Sequence, residues 1–443
     1  MLLRRSFVAF LSFALALFAG LSVDKRVFNS NRNAKYVPVG TIYKESERKA
    51  LANSRTAPVL QSTVSDIPVK TNTGHDGIND ESTLLGVDYT EMLNKADQTA
   101  VRTISPNIES NKSQLTTILF WNPWFRWKDY KFGLGQEVFI KKCGTDQCQT
   151  ITDRSRQSES KAIVFFSGYL NNRYDPVLPP RSDSEQVFIY LNTEPPSKYR
   201  IGFSKLRHDF NITISYKLDS TIYWPYGRIL PREGEHQALT YLDMATKNRT
   251  VAWMVSICED VNIRMTYYEE LKKYIQVDMY GKCGQLKCHE RGRKTTECIE
   301  YLSKYYKFYL AFENSHCVDY VTEKAFRSLQ YDLIPIVMGG ANYTKYLPPK
   351  SYIDVKDFQS PKHLAEYLIH LDNNPDEYMK YFDWKRYYTV VNDIPNSDRV
   401  FCELCELLRK KRSFLLDYNL ADWWENDTCV NDVTMLRNIY HIT

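Results

Sequence analysis

Two stretches of this chain carry side chains that could act on a phosphorylated ligand. The first is Glu313-Asn314-Ser315, followed a few residues later by Thr322-Glu323-Lys324. Thr322 is a suitable N-cap, so a helix is expected to begin there. Open backbone N–H groups at a helix N-terminus, with the positive end of the helix dipole, favour an anion such as phosphate. Lys324 would add a full charge in the first turn, where the dipole opposes a cation, so helix stability does not account for it. The plainer alternative is a lysine that reaches into water. The second stretch is Tyr190-Leu191-Asn192-Thr193-Glu194-Pro195-Pro196, in which Glu194 ends an apolar run just before two stiff prolines. A carboxylate held there could take a proton as a general base. A solvated glutamate at a strand end is the plainer reading of the spacing alone. The sequence contains no Asp-X-Asp pair of the kind that holds a divalent metal against a diphosphate. Basic side chains such as Lys324 and a helix N-terminus would have to take that charge.

These side chains need a framework that brings them together. Tyr306 to Gly340 reads as a buried strand, a polar loop, an amphipathic helix and a second buried strand, an order that builds half of a nucleotide-binding α/β sheet. Within it, Phe308–Phe312 and Leu333–Val337 are the expected strands and Glu323–Gln330 the helix. Upstream, Val251–Ile257 and Gln276–Tyr280 read as strands around a helical pattern over Ile263–Ile275. Leu364–Leu371 and Ser397–Arg409 read as further helices. Strands and helices alternating at this pitch imply parallel pairing. Before them, Leu115–Trp121, Ala162–Phe166, Val187–Leu191 and Asn211–Tyr216 form a first set of strands. The expected division is 115–245 for the first domain and 246–412 for the second, with a cleft between them. Ser413–Thr443 has no assignable pattern; packing back across the first domain is the placement left open for it.

The bulk numbers agree with two domains. A chain of 443 residues exceeds one ordinary core, and 43% hydrophobic residues can fill two. A net charge of +5 is mild and, without a basic–aromatic stripe, gives no reason to expect nucleic acid. Phe7–Val23 is uncharged and mostly apolar, with Arg4 and Arg5 before it and Lys25 and Arg26 after it. It reads as a short membrane anchor with a cytoplasmic N-terminus (1–23), a cleaved signal being the alternative. Residues 24–114 lack periodicity and read as a flexible stem. Either reading of the N-terminus places the remainder in an oxidising lumen, where the ten cysteines would pair. Cys143 and Cys148 enclose a short loop and are expected to bond to each other. Cys402-X-X-Cys405 alone would suggest zinc or redox chemistry, and Cys283, Cys288, His289 and Cys298 could hold zinc; disulfides are the preferred reading. Five sequons, at Asn111, Asn211, Asn248, Asn342 and Asn426, suit a lumenal chain.

FYLAFENS (Phe308 to Ser315) and DYVTEKAF (Asp319 to Phe326) closely resemble the signature of the α1,3-fucosyltransferases, glycosyltransferase family 10. GGANYTKYLPPKSYIDVKDF, from Gly339 to Phe358, resembles the continuation of that family's pattern. The resemblance runs from about Leu115 to Arg409. It implies an α/β fold of the GT-B type, two facing Rossmann-like domains, and an inverting transfer of fucose from GDP-fucose with no obligatory metal cofactor, metal stimulation being left open. By the same resemblance, Glu313 and Asn314 would contact the fucose or ribose, and Glu323 a donor hydroxyl. Lys324 and Arg264 would bind the pyrophosphate, and Tyr309 would line the guanosine side. Cys258-Glu259-Asp260 departs from the family's usual wording near Arg264. Glu194 falls in an Asn-X-Glu-X-Pro element as the base, with Pro195 where serine is common. Tyr216, Asp219 and Ser220 match an element that would shape the acceptor side of the cleft, which Tyr226-Gly227 would close. Trp121, Trp124, Trp127 and Trp224 could stack on sugar faces, though core packing is the commoner fate of a tryptophan.

The expected function is therefore an α1,3-fucosyltransferase of the Golgi membrane, single-pass with its catalytic part in the lumen. Its partners would be GDP-fucose and the GlcNAc of glycoprotein N-glycans, either the core or a Lewis-type antenna. The rivals are a non-catalytic lumenal glycan-binding protein on the same scaffold, and a secreted disulfide-rich structural protein.

Overall fold

The structure, a computed structural model, describes residues 115–170, 178–198, 209–232, 246–259, 262–288, 295–392, 397–410, 419–426 and 428–442. The expected anchor, the stem, Asn111 and His289 lie outside the described residues. Among the described residues no helix is long and apolar enough to cross a membrane. All of them fall in one compact unit.

Two parallel sheets organise it. In the first, β1 (Thr116–Phe120), β2 (Cys148–Ile151), β3 (Ala162–Phe166), β4 (Val187–Asn192), β5 (Ile212–Ser215) and β6 (Ile222–Tyr223) lie in the order β2-β1-β3-β4-β5-β6. After β7 (Gly227–Pro231), the second sheet takes β8 (Arg249–Met254), β9 (Val277–Tyr280), β10 (Tyr306–Phe312), β11 (Ile334–Met338) and β12 (Ile353–Asp354) in the order β12-β11-β10-β8-β9. The middle strands β3, β4, β10 and β11 are buried at every residue, as expected of parallel strands covered on both faces.

The helices that cover them follow from the same alternation. On one side of the first sheet, Ile118, Val164 and Ile189 pack with α1 (Glu137–Cys143), and later in the chain with α7 (Asp398–Arg409). On the second sheet, α2 (Arg264–Leu271) and α5 (Pro361–Asn373) cover Trp253, Leu310 and Ile336. Its opposite face meets α3 (Thr295–Tyr305) and α4 (Glu323–Gln330). A short α6 (Pro375–Met379) leads to β13 (Tyr388–Asn392), which pairs antiparallel with β7. Gly227 opens β7 where a Cβ would stand 2.3 Å from the Phe326 ring, so only glycine lets this strand lie against α4.

The cysteine pairing corrects one expectation. Cys143 bonds Cys402 and Cys148 bonds Cys405, rather than Cys143 with Cys148. Cys402 and Cys405 are three residues apart in α7, hence on one face. That face lies against the end of α1 and the start of β2. α7 thus belongs with the first sheet, although it falls in the stretch read as the second domain. Cys283 and Cys288 bond Cys258 and Cys298, which removes them from a zinc site, and Cys317 bonds Cys429. The last stretch touches both sheets. Trp424 of α8 (Leu420–Trp424) sits against Tyr190 and Tyr216, and Leu436 of α9 (Val433–Ile439) joins the core of the second sheet.

Candidate active site

The loop after β10 is built around a carboxylate that faces inward. Glu313 is 1% exposed. Its Oε1 accepts from the Thr322 amide at 2.7 Å, and its Oε2 from Thr322 Oγ1 at 2.8 Å and Lys324 Nζ at 3.0 Å. Lys324 donates a second bond to Thr322 Oγ1, at 2.7 Å. Thr322 occupies the N-cap position of α4, but no side-chain bond caps the helix. The capping bond is missing because the Thr322 hydroxyl is turned to Glu313, to which it donates, and its oxygen accepts from Lys324 Nζ in place of a helix amide. The mouth of α4 is left without a side-chain cap beside a braced lysine, an arrangement suited to an anion. Burial works against the Lys324 charge, yet Glu313 and Glu323 outweigh it and raise its pKa above the usual lysine value. Burial pushes Glu323 up, but Lys324 and Arg327 hold it below the ordinary range.

The second cation comes from α2. Arg264 opens that helix, is 4% exposed and donates to the Ile257 carbonyl at 2.7 Å. It lies close enough for its charge to weigh on Lys324. Ile263 before it has φ of 59°, and Asp319 in the loop before α4 has φ of 62°. A β-branched residue in the left-handed region is strained, and such strain gathers where a loop must hold a special shape. Asn262 ties the two elements by donating to the Glu313 carbonyl at 2.5 Å. Asn314 Oδ1 is buried with no partner among the described residues. Tyr309 lies buried within β10, its hydroxyl pushed up to about 12 by burial, with Lys324 opposing.

The loop after β4 brings the other carboxylate. Asn192 Oδ1 accepts the Glu194 amide at 2.9 Å, and Pro195 and Pro196 are buried behind it. The Glu194 side chain is only lightly held: Oε1 lies 3.4 Å from Tyr226 Oη, which gives its better bond, 2.7 Å, to the Thr193 carbonyl. Burial pushes the Glu194 carboxyl up; Lys324 opposes this and Glu323 adds to it. Glu194 therefore stands within the field of the α4 mouth. The two loops are also bonded directly, Ser197 Oγ to Ser315 Oγ at 2.8 Å. Neither serine stands out by spacing, and no sequence signal marks their meeting.

The remaining candidates divide. Tyr216 is 1% exposed, edge-on to Tyr320, and Glu194 is among the charges that weigh on it. Asp219, exposed, accepts from Trp423 Nε1 at 2.7 Å, and buried Ser220 bonds Ser215 at 2.6 Å, bonds that brace the loop. Trp124 and Trp224 are core residues, whereas Trp121 and Trp127 are partly exposed, each under a cationic side chain. Of the described sequons, Asn248, Asn342 and Asn426 are exposed; Asn211 is half-buried, its Oδ1 accepting the Phe188 amide at 2.9 Å.

Comparison with known proteins agrees with the motifs. Residues 113–227 match the family model "Fucosyltransferase, N-terminal", and residues 244–423 match "Glycosyltransferase family 10 (fucosyltransferase) C-term". Alpha-(1,3)-fucosyltransferase C of Drosophila melanogaster is 33% identical over 341 residues, 70% of this chain and 78% of that protein. Glycoprotein 3-alpha-L-fucosyltransferase A of the same fly is 38% identical over 335 residues, 72% of this chain and 62% of that protein. The human 3-galactosyl-N-acetylglucosaminide 4-alpha-L-fucosyltransferase FUT3 is 35% identical over 301 residues, 65% of this chain and 79% of that protein. A crystal structure of an alpha1,3-fucosyltransferase with GDP-fucose aligns over 71% of this chain and 96% of that one, at 15% identity and a TM-score of 0.45.

Proposed function

The chain belongs to glycosyltransferase family 10, the fucosyltransferases, and from that premise we propose an inverting α1,3-fucosyltransferase that acts on N-glycans. It moves L-fucose from GDP-β-L-fucose to the 3-hydroxyl of GlcNAc, in the core or in a Lewis-type antenna. The observation that supports the reading is the joining of the two loops, Ser197 Oγ to Ser315 Oγ at 2.8 Å, which brings Glu194 after one sheet's strand into the field of Lys324 beside the other.

The steps follow from that geometry. The pyrophosphate rests at the mouth of α4, its charge met by Lys324 and Arg264. Asn314 Oδ1, without a donor among the described residues, accepts from a fucose or ribose hydroxyl, and Glu323 from another. Tyr309 borders the guanosine. Glu313 acts behind them as the brace that aims Lys324. The acceptor oxygen attacks the anomeric carbon from the face opposite GDP, so the β linkage becomes α. The bond from that carbon to the phosphate oxygen breaks, and GDP leaves with the electron pair. Glu194 takes the hydroxyl proton as the new bond forms. Two basic side chains and a helix end meet the leaving charge, and the reaction needs no obligatory metal. The two sheets face each other in the GT-B manner, with Tyr216 and Tyr226 on the acceptor side. Phe7–Val23 anchors the chain in the Golgi membrane with this site in the lumen.

The test uses the full chain with labelled GDP-fucose and separate chitobiose-core and lactosamine glycans. The expected product carries α1,3-linked fucose on GlcNAc, with EDTA leaving the rate in place. Glycan binding without transfer would support the lectin alternative, and loss of activity in EDTA would overturn the metal-independent route.

A further inference from the structure

The stretch from Thr428 to Tyr440 lies beyond the residues matched by either family model, yet it holds the loop that carries Glu313 and Asn314. The Val318 amide donates to the Thr428 carbonyl at 2.7 Å, and the Val430 amide donates to the His316 carbonyl at 2.8 Å. Between these two bonds Cys317 and Cys429 are joined covalently and form an antiparallel bridge. The loop is thereby held by main chain and by a disulfide at one point, two residues past Ser315.

A second hold comes from the end of α9. Tyr440 Oη lies 2.9 Å from His316 Nδ1 and 3.1 Å from the Gly339 carbonyl. A carbonyl can only accept, so the tyrosine proton goes to Gly339. His316 then donates from Nδ1, the one assignment that satisfies both contacts. Burial, with Lys356 adding, pushes His316 down to about 4, so it remains neutral and keeps that single donor. Gly340 completes the seat: a Cβ there would stand 2.6 Å from the Cys317 nitrogen, so the end of β11 touches the loop backbone directly.

The holding segment is itself fixed at both ends. Trp424 is fully buried against Tyr190 and Tyr216 of the first sheet, and Leu436 is fully buried in the core of the second. Cys317 sits where a shift of the segment would pass straight to Ser315 and Asn314. We propose that residues 428–440 form a clamp on the donor loop, with Cys429 and Tyr440 as positioning residues that set affinity for the nucleoside diphosphate of the donor. The inference rests on the reading of the α4 mouth as the donor site.

The alternative is a staple that adds stability and nothing else, and the kinetics separate the two. Tyr440→Phe removes both hydroxyl bonds and keeps the ring. For a clamp, the GDP dissociation constant by calorimetry and the KM for GDP-fucose rise together, by roughly five- to tenfold for a lost buried hydrogen bond. The KM for the glycan acceptor and kcat at saturating donor stay near their starting values, and amide exchange of 313–318 accelerates. The paired Cys317→Ala, Cys429→Ala variant shifts GDP affinity in the same direction. If donor and acceptor KM rise alike as the melting temperature falls, or if neither moves, the segment is only a staple and the clamp is overturned. Lys324→Met, measured alongside, guards the premise. Unchanged GDP binding in that variant would overturn the donor-site reading and the clamp with it. Lost GDP binding there, with Tyr440→Phe unaffected, would overturn the clamp alone.

Discussion

Glu194 and Glu313 occupy matching places in the two sheets and have opposite surroundings. Each stands at the carboxyl end of a central buried strand, two residues past β4 and one past β10. Glu313 accepts three bonds between 2.7 and 3.0 Å, one of them from an ammonium group. Among the described residues, the Glu194 carboxylate has a single contact at 3.4 Å, with a hydroxyl already engaged elsewhere. Burial raises the pKa of both carboxyls. What differs is the number of donors. A carboxylate whose oxygens already accept three bonds serves as a brace, whereas one with more open lone pairs can receive a proton. Residue type is the same and each glutamate follows a central strand, so the partners decide the role.

The sharpest way to break this comparison is to make the same substitution in both places. Glu194→Gln keeps the shape and removes the base. Turnover is expected to fall by about 10²- to 10⁴-fold, the usual contribution of general base catalysis, with GDP affinity and melting temperature unchanged. Single-turnover transfer and calorimetry read the two quantities separately; near-normal turnover would remove Glu194 from the mechanism. Glu313→Gln should do the reverse. It places an amide against Lys324 and leaves a mostly buried ammonium with only Glu323, 3.6 Å away, as counter-charge, a loss of up to about 3 kcal/mol in stability. Chemical denaturation would show it, accompanied by a higher KM for GDP-fucose as Lys324 loses its aim. Unchanged stability would mean that Glu313 is a ligand contact after all.

The two glutamates also mark what could be read in advance. The strands beneath them were legible because a continuous apolar run such as AIVFF or FYLAF has few other homes than a doubly covered parallel strand. Glu323–Gln330 was legible to the residue, since its apolar positions recur at helical spacing. The brace was not. Thr322 satisfies the local rule for a cap, and only the arrival of Glu313 from nine residues away redirects its hydroxyl. The same limit hides the β7–β13 pair and the disulfides that span 257 and 259 residues. Neither edge pairing nor cysteine connectivity leaves a periodic trace in the chain. The Ser197–Ser315 bond joins residues 118 apart whose type is common on any surface. The site's residue types were thus readable, while the bonds that assign brace and base depend on tertiary contacts.

The gentlest test leaves both glutamates in place and alters the charges around Glu194. As a base it must be ionised, so the rate falls on the acid side and levels off above its pKa. Burial sets that limb higher than an ordinary glutamate would; Glu323 pushes it further, and Lys324 and the Tyr226 hydroxyl pull it back. Glu323→Gln removes a like charge, so the limb in kcat/KM moves to lower pH. Tyr226→Phe removes a donor, so the limb moves to higher pH, while the buried ring remains. The donor itself is a third probe. Its pyrophosphate would offset the Lys324 charge that favours ionised Glu194, so the limb in kcat, which reports the occupied enzyme, should lie above the limb in kcat/KM. Glu313, whose oxygens already accept three bonds, is not the group that takes the acceptor's proton, so these limbs do not report it. Limbs that move together in the two variants, or that do not move at all, would place the titrating base somewhere other than Glu194.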